Sequence, residues 1–216
     1  MSIHLYGYWR SSATYRVRIA LNLKQLDYQY TPVHLVKDGG EQHSEHYLRM
    51  NPAGLVPAFV DEDEDFTLNQ SLSIIEYLDE RYPDPIKLLP EHALDKARIR
   101  GIAQDIGCDI QPLANLRVLN QIAEFDQRED AKALWAKQWI ERGFKGIEQR
   151  LQTRAGKYCF GFDVTLADIV LVPQVYNALR FGVDMNQYPL INNIYANCNE
   201  LEAFIAAKPE NQPDAT

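Results

Sequence analysis

Hydrophobic and polar positions change period along the chain, and that change divides it. IHLYGY (3–8) reads as a short buried strand. TYRVRIALNLK (14–24) sets Val17, Ala20, Leu21 and Lys24 at helical spacing and predicts an amphipathic helix. YQYTPVHLV (28–36) alternates aromatic and β-branched residues, as a strand does. VPAFVDEDEDFTL (56–68) predicts two strands around an acidic turn. SLSIIEYLDER (71–81) predicts a helix with Leu72, Ile75 and Leu78 on one face. The order β-α-β, hairpin, helix is too short for a doubly wound nucleotide fold, and it contains no G-x-G-x-x-G.

The proline-rich stretch YPDPIKLLPEHAL (82–94) has no regular period and marks a linker. Beyond it, helical spacing dominates over roughly 95–123, 130–152, 165–180 and 187–206. The helix at 165–180 has the fullest start signal. Val164, Thr165, Asp168 and Ile169 fall at N′, N-cap, N3 and N4, a capping box with a hydrophobic staple. The apolar run IVLVPQVY (169–176) predicts that this helix is buried. The pattern is an α+β chain: an α/β domain at 1–82, a linker at 83–94 and an all-helical domain at 95–216.

Composition narrows the function classes. The chain has 216 residues, 46% hydrophobic and 24% charged, in the range of a globular protein. A formal net charge of −8 argues against a nucleic-acid partner, which requires a basic face. No apolar run approaches a membrane span, and the N-terminus lacks a signal-peptide pattern. Cys108, Cys159 and Cys198 are odd in number and far apart. They read as reduced thiols of a cytoplasmic protein, with no metal site.

Against the acidic total, YWRSSATYRVRIALNLK (8–24) contains no acid. Ser11 and Ser12 stand where a strand gives way to a helix. On local sequence a helix cap is the favoured reading. The sharper reading is that a hydroxyl and a helix N-terminus together stabilise a ligand thiolate. Gln70 and Ser71 open the next helix, as a cap or as a carboxylate site built from helix amides and a hydroxyl. In LVPAF (55–59) a trans Val56–Pro57 bond is expected from sequence alone. Arg10, Arg16, Arg18, Arg117 and Arg180 are candidate anion binders, Arg18 being expected on the solvated surface. EQHSEH (41–46) reads as a solvated polar stretch, and no G-x-S-x-G supports a hydrolase.

With these residues assembled, the chain resembles the zeta class of glutathione transferases from about residue 3 to residue 214. The resemblance is carried by RSSATYRVRIALNLK, VKDGGEQ, NPAGLVP, NQSLSIIEYLDERYP, GCDIQPLANLRVL, TLADIVLVPQVYNALRFGVD and NQPD. It implies a thioredoxin-like N-terminal domain, an all-α C-terminal domain, a homodimer and glutathione as cosubstrate. It implies that Ser11 and Ser12 face the thiol, that the Val56 backbone pairs with the glutathione peptide before a cis proline, and that Gln70 and Ser71 hold the γ-glutamyl end. Gln42, Gln111 and Asn115 match further glutathione contacts. Arg10, Arg117 and Arg180 match arginines of the related maleylpyruvate isomerases and would serve as cations for an acidic substrate. The implied activity is glutathione-dependent cis–trans isomerisation of a maleyl diketo acid, the maleylacetoacetate of tyrosine and phenylalanine breakdown. The alternatives are the shorter maleylpyruvate, a general transferase or peroxidase, and a non-catalytic interaction module. The chain departs from the class motif at Ala13, where cysteine is usual, and at Arg117, where serine is frequent.

Overall fold

The computed structural model describes residues 3–216. The chain divides into two compact units, one running up to Lys87 and rejoined by Leu201–Thr216, the other Leu88–Glu200.

The first unit is built on a four-stranded sheet of order β2-β1-β3-β4. Strand β1 (Ile3–Gly7) pairs in parallel with β2 (Gln29–Pro32) and antiparallel with β3 (Ala58–Asp61), which pairs antiparallel with β4 (Phe66–Asn69). A parallel pair cannot be closed by a hairpin, so the chain crosses over through α1 (Ser12–Leu23). Leu5 lies opposite both Tyr30 and Phe59, and Leu5 and Phe59 are fully buried. Strand β2 stops at Pro32, short of the predicted 28–36, because its partner β1 ends at Gly7, whose carbonyl still accepts from the Val33 N–H at 2.6 Å; the missing N–H of Pro32 faces the free edge of the sheet. The predicted acidic turn joins β3 to β4 with Glu62–Asp65 exposed. Helix α3 (Ser71–Arg81) forms as predicted and buries Ile74, Ile75 and Leu78. A short helix, α2 (Glu45–Met50), starts inside the stretch 41–46 read as solvated and polar and continues beyond it. Its start is capped by the Ser44 hydroxyl, which accepts from the Tyr47 N–H.

Helix α1 is buried on nearly every side, including Arg16 and Arg18. Lys24 closes it, buried and paired with Asp79 of α3 at 2.6 Å. Gly7 permits the close approach of β1 to α1. A Cβ at position 7 would lie 2.2 Å from Thr14 Cγ2.

The boundary at 95–216 placed the C-terminal residues in the helical domain. The structure groups 201–216 with the first unit instead. The reason is packing of α9 (Glu202–Ala207) on α1, with Asn22 Nδ2 donating to the Ala203 carbonyl at 2.9 Å.

The second unit consists of α4 (Ala93–Gln104), α5 (Leu116–Phe125), α6 (Ala131–Leu151), α7 (Leu166–Arg180) and α8 (Pro189–Cys198). The continuous helix expected over 95–123 is broken by a π turn at Asp105–Ile110 and a 3-10 turn at Gln111–Ala114. Pro112 supplies no N–H for an α turn, and Asn115 caps a fresh start. The helix expected over 187–206 divides into α8 and α9. Asn199 ends α8, its side chain donating back to the Tyr195 carbonyl at 2.8 Å. Among the described residues no helix is long and apolar enough to cross a membrane.

Helix α7 has the predicted capping box. Asp168 Oδ2 accepts from the Thr165 N–H and hydroxyl, both at 2.8 Å, and Oδ1 accepts from the Cys159 N–H at 2.7 Å. The carboxyl is completely buried, which pushes its pKa up; the Cys159 and Thr165 bonds oppose that shift. Asp168→Ala strands two buried amides and removes the cap. It is expected to lower stability by about 2–4 kcal/mol, read as a fall of roughly 4–16 °C in the thermal midpoint. Asp168→Asn, which retains one acceptor oxygen, should lie between that variant and the parent.

Candidate functional site

Ser11 is the N-cap of α1, with extended backbone at φ −68° and ψ 120°. Its Oγ accepts from the Thr14 N–H at 3.2 Å, which leaves the hydroxyl hydrogen to be directed elsewhere. Ser12 is the first helical residue and is 7% exposed. The cap reading and the ligand reading are therefore compatible, because the cap uses the oxygen as acceptor while a thiolate needs a donor. No acid lies in the first turn to cancel the positive end of the helix.

The loop before the cap is fixed. The Ser11 N–H donates to the Tyr8 carbonyl at 3.0 Å. The Trp9 N–H donates to Asp214 Oδ2 at 3.0 Å, and the Trp9 carbonyl accepts from Arg18 Nη2 at 2.9 Å. The Arg10 guanidinium lies 5.2 Å from the Trp9 ring, a cation–π arrangement.

Arg18 corrects the sequence expectation. It is fully buried rather than solvated, and its Nε donates to the Ala207 carbonyl at 3.1 Å. Burial pushes its pKa below the ordinary arginine value. Arg16, also buried, reaches from α1 to the start of α3. Its Nη1 donates to Ser71 Oγ at 3.2 Å. Ser71 is 5% exposed and opens α3.

Gln70 is the N-cap residue of α3, but its side chain makes no cap hydrogen bond. Its backbone sits at φ 71°, where residues other than glycine are strained. Glutamine there presents its side chain outward, exposed, beside the α3 N-terminus.

Val56–Pro57 is cis, contrary to the expectation from local sequence and in line with the resemblance. The preceding Leu55 carbonyl accepts from both the Tyr47 hydroxyl and Asn51 Nδ2 at 2.7 Å, so this loop is held from within. Val56 is half-buried, and among the described residues nothing pairs with its N–H or C=O. Gln42 is 7% exposed; its Nε2 donates to the Leu35 carbonyl at 3.4 Å, while its Oε1 is buried without a partner. Gly40, at φ 100°, makes room for that amide: a Cβ there would lie 2.5 Å from it.

The remaining predicted residues belong to the second unit. Gln111 starts the 3-10 turn. Asn115 caps α5, its Oδ1 accepting from the Arg117 N–H at 3.2 Å. Arg117 and Arg180 are exposed, and the Arg180 guanidinium lies 5.0 Å from the Phe181 ring.

The first unit thus carries two helix N-termini with hydroxyls at both, linked by Arg16, together with an open backbone segment at Val56 and an orphaned buried amide oxygen at Gln42. Sequence reasoning missed Trp9, Tyr30 and Asp214. The tail NQPD was the available signal, but nothing local gave it a task.

A family model described as "Glutathione S-transferase, N-terminal domain" matches residues 5–86. A probable maleylacetoacetate isomerase of Vibrio cholerae is 50% identical over 216 residues, covering 100% of this chain and 99% of that one. A bacterial maleyl pyruvate isomerase in the zeta class, solved in its holo form, superposes with a TM-score of 0.93 at 44% identity, covering 99% of this chain and 100% of the other. A maleylacetoacetate isomerase of Methylobacterium extorquens AM1, solved with bound malonate and glutathione, has a TM-score of 0.92 at 37% identity, with 99% of both chains covered. The fold, the helix starts of the first unit and these likenesses converge: the chain belongs to the zeta class of glutathione transferases, the family of the maleylacetoacetate isomerases.

Proposed function

We propose that this chain catalyses the glutathione-dependent cis–trans isomerisation of maleylacetoacetate to fumarylacetoacetate. The observation that carries the reading is the paired helix starts of the first unit, Ser11-Ser12 and Gln70-Ser71, tied by Arg16. Bound glutathione supplies a thiolate that adds to the cis double bond, permits rotation about the resulting single bond, and leaves to give the trans alkene. The chain's own residues supply the conditions. The hydroxyls of Ser11 and Ser12 and the amides of α1 stabilise negative charge on sulfur. The Val56 backbone offers one donor and one acceptor to a peptide. Gln70, Ser71 and the α3 N-terminus bind an α-carboxylate, and Gln42 adds an amide acceptor. Gln111 and Asn115 are assigned further polar contacts to the cofactor. Arg10, Arg117 and Arg180 are assigned to the substrate carboxylates and to the enolate oxygen that takes up charge as sulfur adds.

A second reading, maleylpyruvate as the preferred substrate, rests on the likeness to the maleyl pyruvate isomerase and on arginine at position 117. Parallel kcat/KM measurements on the two maleyl acids distinguish them. A clear preference for maleylpyruvate would replace the first reading, and conjugate accumulation without isomerisation would replace both.

We also infer a homodimer in the cytoplasm. The outer side of α4 supports the subunit contact. Leu94 and Ala97 are exposed there, and Gly101 opens beside a groove of about 710 Å³ bounded by Ile102, Arg150 and Phe160. Gly101→Arg or Leu94→Asp should shift the sedimentation coefficient from dimer to monomer, with far-ultraviolet circular dichroism retained.

Two further measurements bear on the site. Ser11→Ala and Ser12→Ala should reduce kcat/KM, at least one of them by roughly 10- to 100-fold. Unchanged turnover in both would remove the hydroxyls from the chemistry. Gln70→Gly relieves the positive φ, so it should raise stability by about 1 kcal/mol while weakening glutathione binding by about 10-fold. A variant gaining stability at no cost in affinity would show that Gln70 serves only the turn.

A further inference from the structure

The peptide groups of Trp9 are gripped from both sides by charged side chains that are distant in sequence. Arg18 donates to the carbonyl at 2.9 Å and Asp214 accepts from the N–H at 3.0 Å. Both bonds are charge-assisted, and Trp9 itself is buried, which makes them strong and directional. Each clamp residue is itself anchored. Arg18 is fully buried, bonds the Ala207 carbonyl at 3.1 Å and lies 5.4 Å from the Tyr15 ring. Asp214 also accepts from the Tyr30 hydroxyl at 3.3 Å.

The tail that presents Asp214 is fastened by its own side chains. Gln212 Nε2 donates to the carbonyls of Ala206 and Lys208 at 2.9 and 2.8 Å, and Asn211 Nδ2 donates to that of Ile205 at 2.7 Å. Pro209 is buried. The last stretch of chain is therefore a strap with one polar contact directed at the loop that leads into α1.

Trp9 is neither strand nor helix, so no ladder or helical bond fixes its peptide groups. The next residue is Arg10, stacked on the Trp9 ring, and after it comes the Ser11 cap. Rotation of the Trp9 peptide would move both. We propose that Arg18 and Asp214 are positioning residues for the thiolate-binding corner, holding the Trp9 peptide so that Arg10 and Ser11 keep their places at the α1 N-terminus. This rests on the assignment of glutathione to that corner. The role assigned to both is indirect: each acts through the backbone of Trp9.

The test compares Asp214→Ala, Asp214→Asn and the parent. In the glutathione-free protein, hydrogen exchange at the Trp9 amide should speed up at least 10-fold in Asp214→Ala and stay near the parent in Asp214→Asn, whose side-chain oxygen still accepts. With glutathione bound, ultraviolet absorbance of the thiolate against pH should give a thiol pKa raised by roughly 0.5–1 unit in the alanine variant. The asparagine variant should recover most of that shift. The expected kinetic pattern is a fall in kcat of about 3- to 10-fold with KM for the maleyl acid little changed. If Asp214→Ala only lowers the thermal midpoint, leaving amide exchange and the thiol pKa unchanged, the tail is structural and the proposal fails. It also fails if the asparagine variant loses as much as the alanine one. If the parent protein neither binds nor ionises glutathione, the functional reading fails and takes this proposal with it.

Discussion

A buried hydrogen bond from Arg16 to Ser71 sets the relation between the starts of α1 and α3. Both helices leave the same sheet, and each leaves its first amides unsatisfied by its own backbone. Fixing α1 to the start of α3 holds the two sets of free amides at a defined span. Around that bond the first unit is arranged for rigidity. Gly7 lets the helix sit tightly on β1, Lys24 pairs with Asp79 at the far end of α1, and the Leu55 carbonyl is held by two donors. A thiolate is sensitive to the distance of its hydrogen-bond donors, so such rigidity is itself a form of electrostatic control.

The same region explains why charge composition was a poor guide to charge placement. The chain is acidic overall, yet its most buried charged side chains include Arg16 and Arg18 of α1 and Lys24 at its C-cap. Each meets a specific acceptor, a serine oxygen, backbone carbonyls or a carboxylate, although Arg18 Nη1 is buried without a hydrogen-bond partner. Burial of a cation is costly without partners, and α1 tolerates three because the partners are already ordered by the sheet and by α3 and α9.

Much of the fold was legible. The period of apolar residues located the strands of the first unit and α3, and Thr165 with Asp168 marked the start of α7 to the residue. The errors share a cause. The stretch 95–123 is apolar at helical spacing throughout, but Pro112 and Asn115 redirect the backbone without disturbing that spacing. Arg18 looked solvated because its acceptors, at Trp9 and Ala207, lie far from each other in sequence. At the candidate site, Ser11, Gln70 and Ser71 could be found as helix starts from local signals. The cis geometry at Val56 and the burial of the Gln42 amide could not, since both depend on neighbours that only the fold supplies. Residues of the second unit were reached through resemblance, not through any local pattern that would distinguish Arg117 from an ordinary surface arginine.

The first unit is not continuous in sequence: its last helix and tail return after the whole of the second unit has been traversed. The closure of this corner is therefore a long-range event. Arg18 and its Ala207 acceptor are 189 positions apart in sequence, and Trp9 and its Asp214 acceptor are 205 apart. Contacts so distant cost the most loop-closure entropy and tend to form late in folding. The corner proposed to hold the thiolate thus depends on the return of 201–216 to α1, and a partly folded chain would differ from the native one at that place.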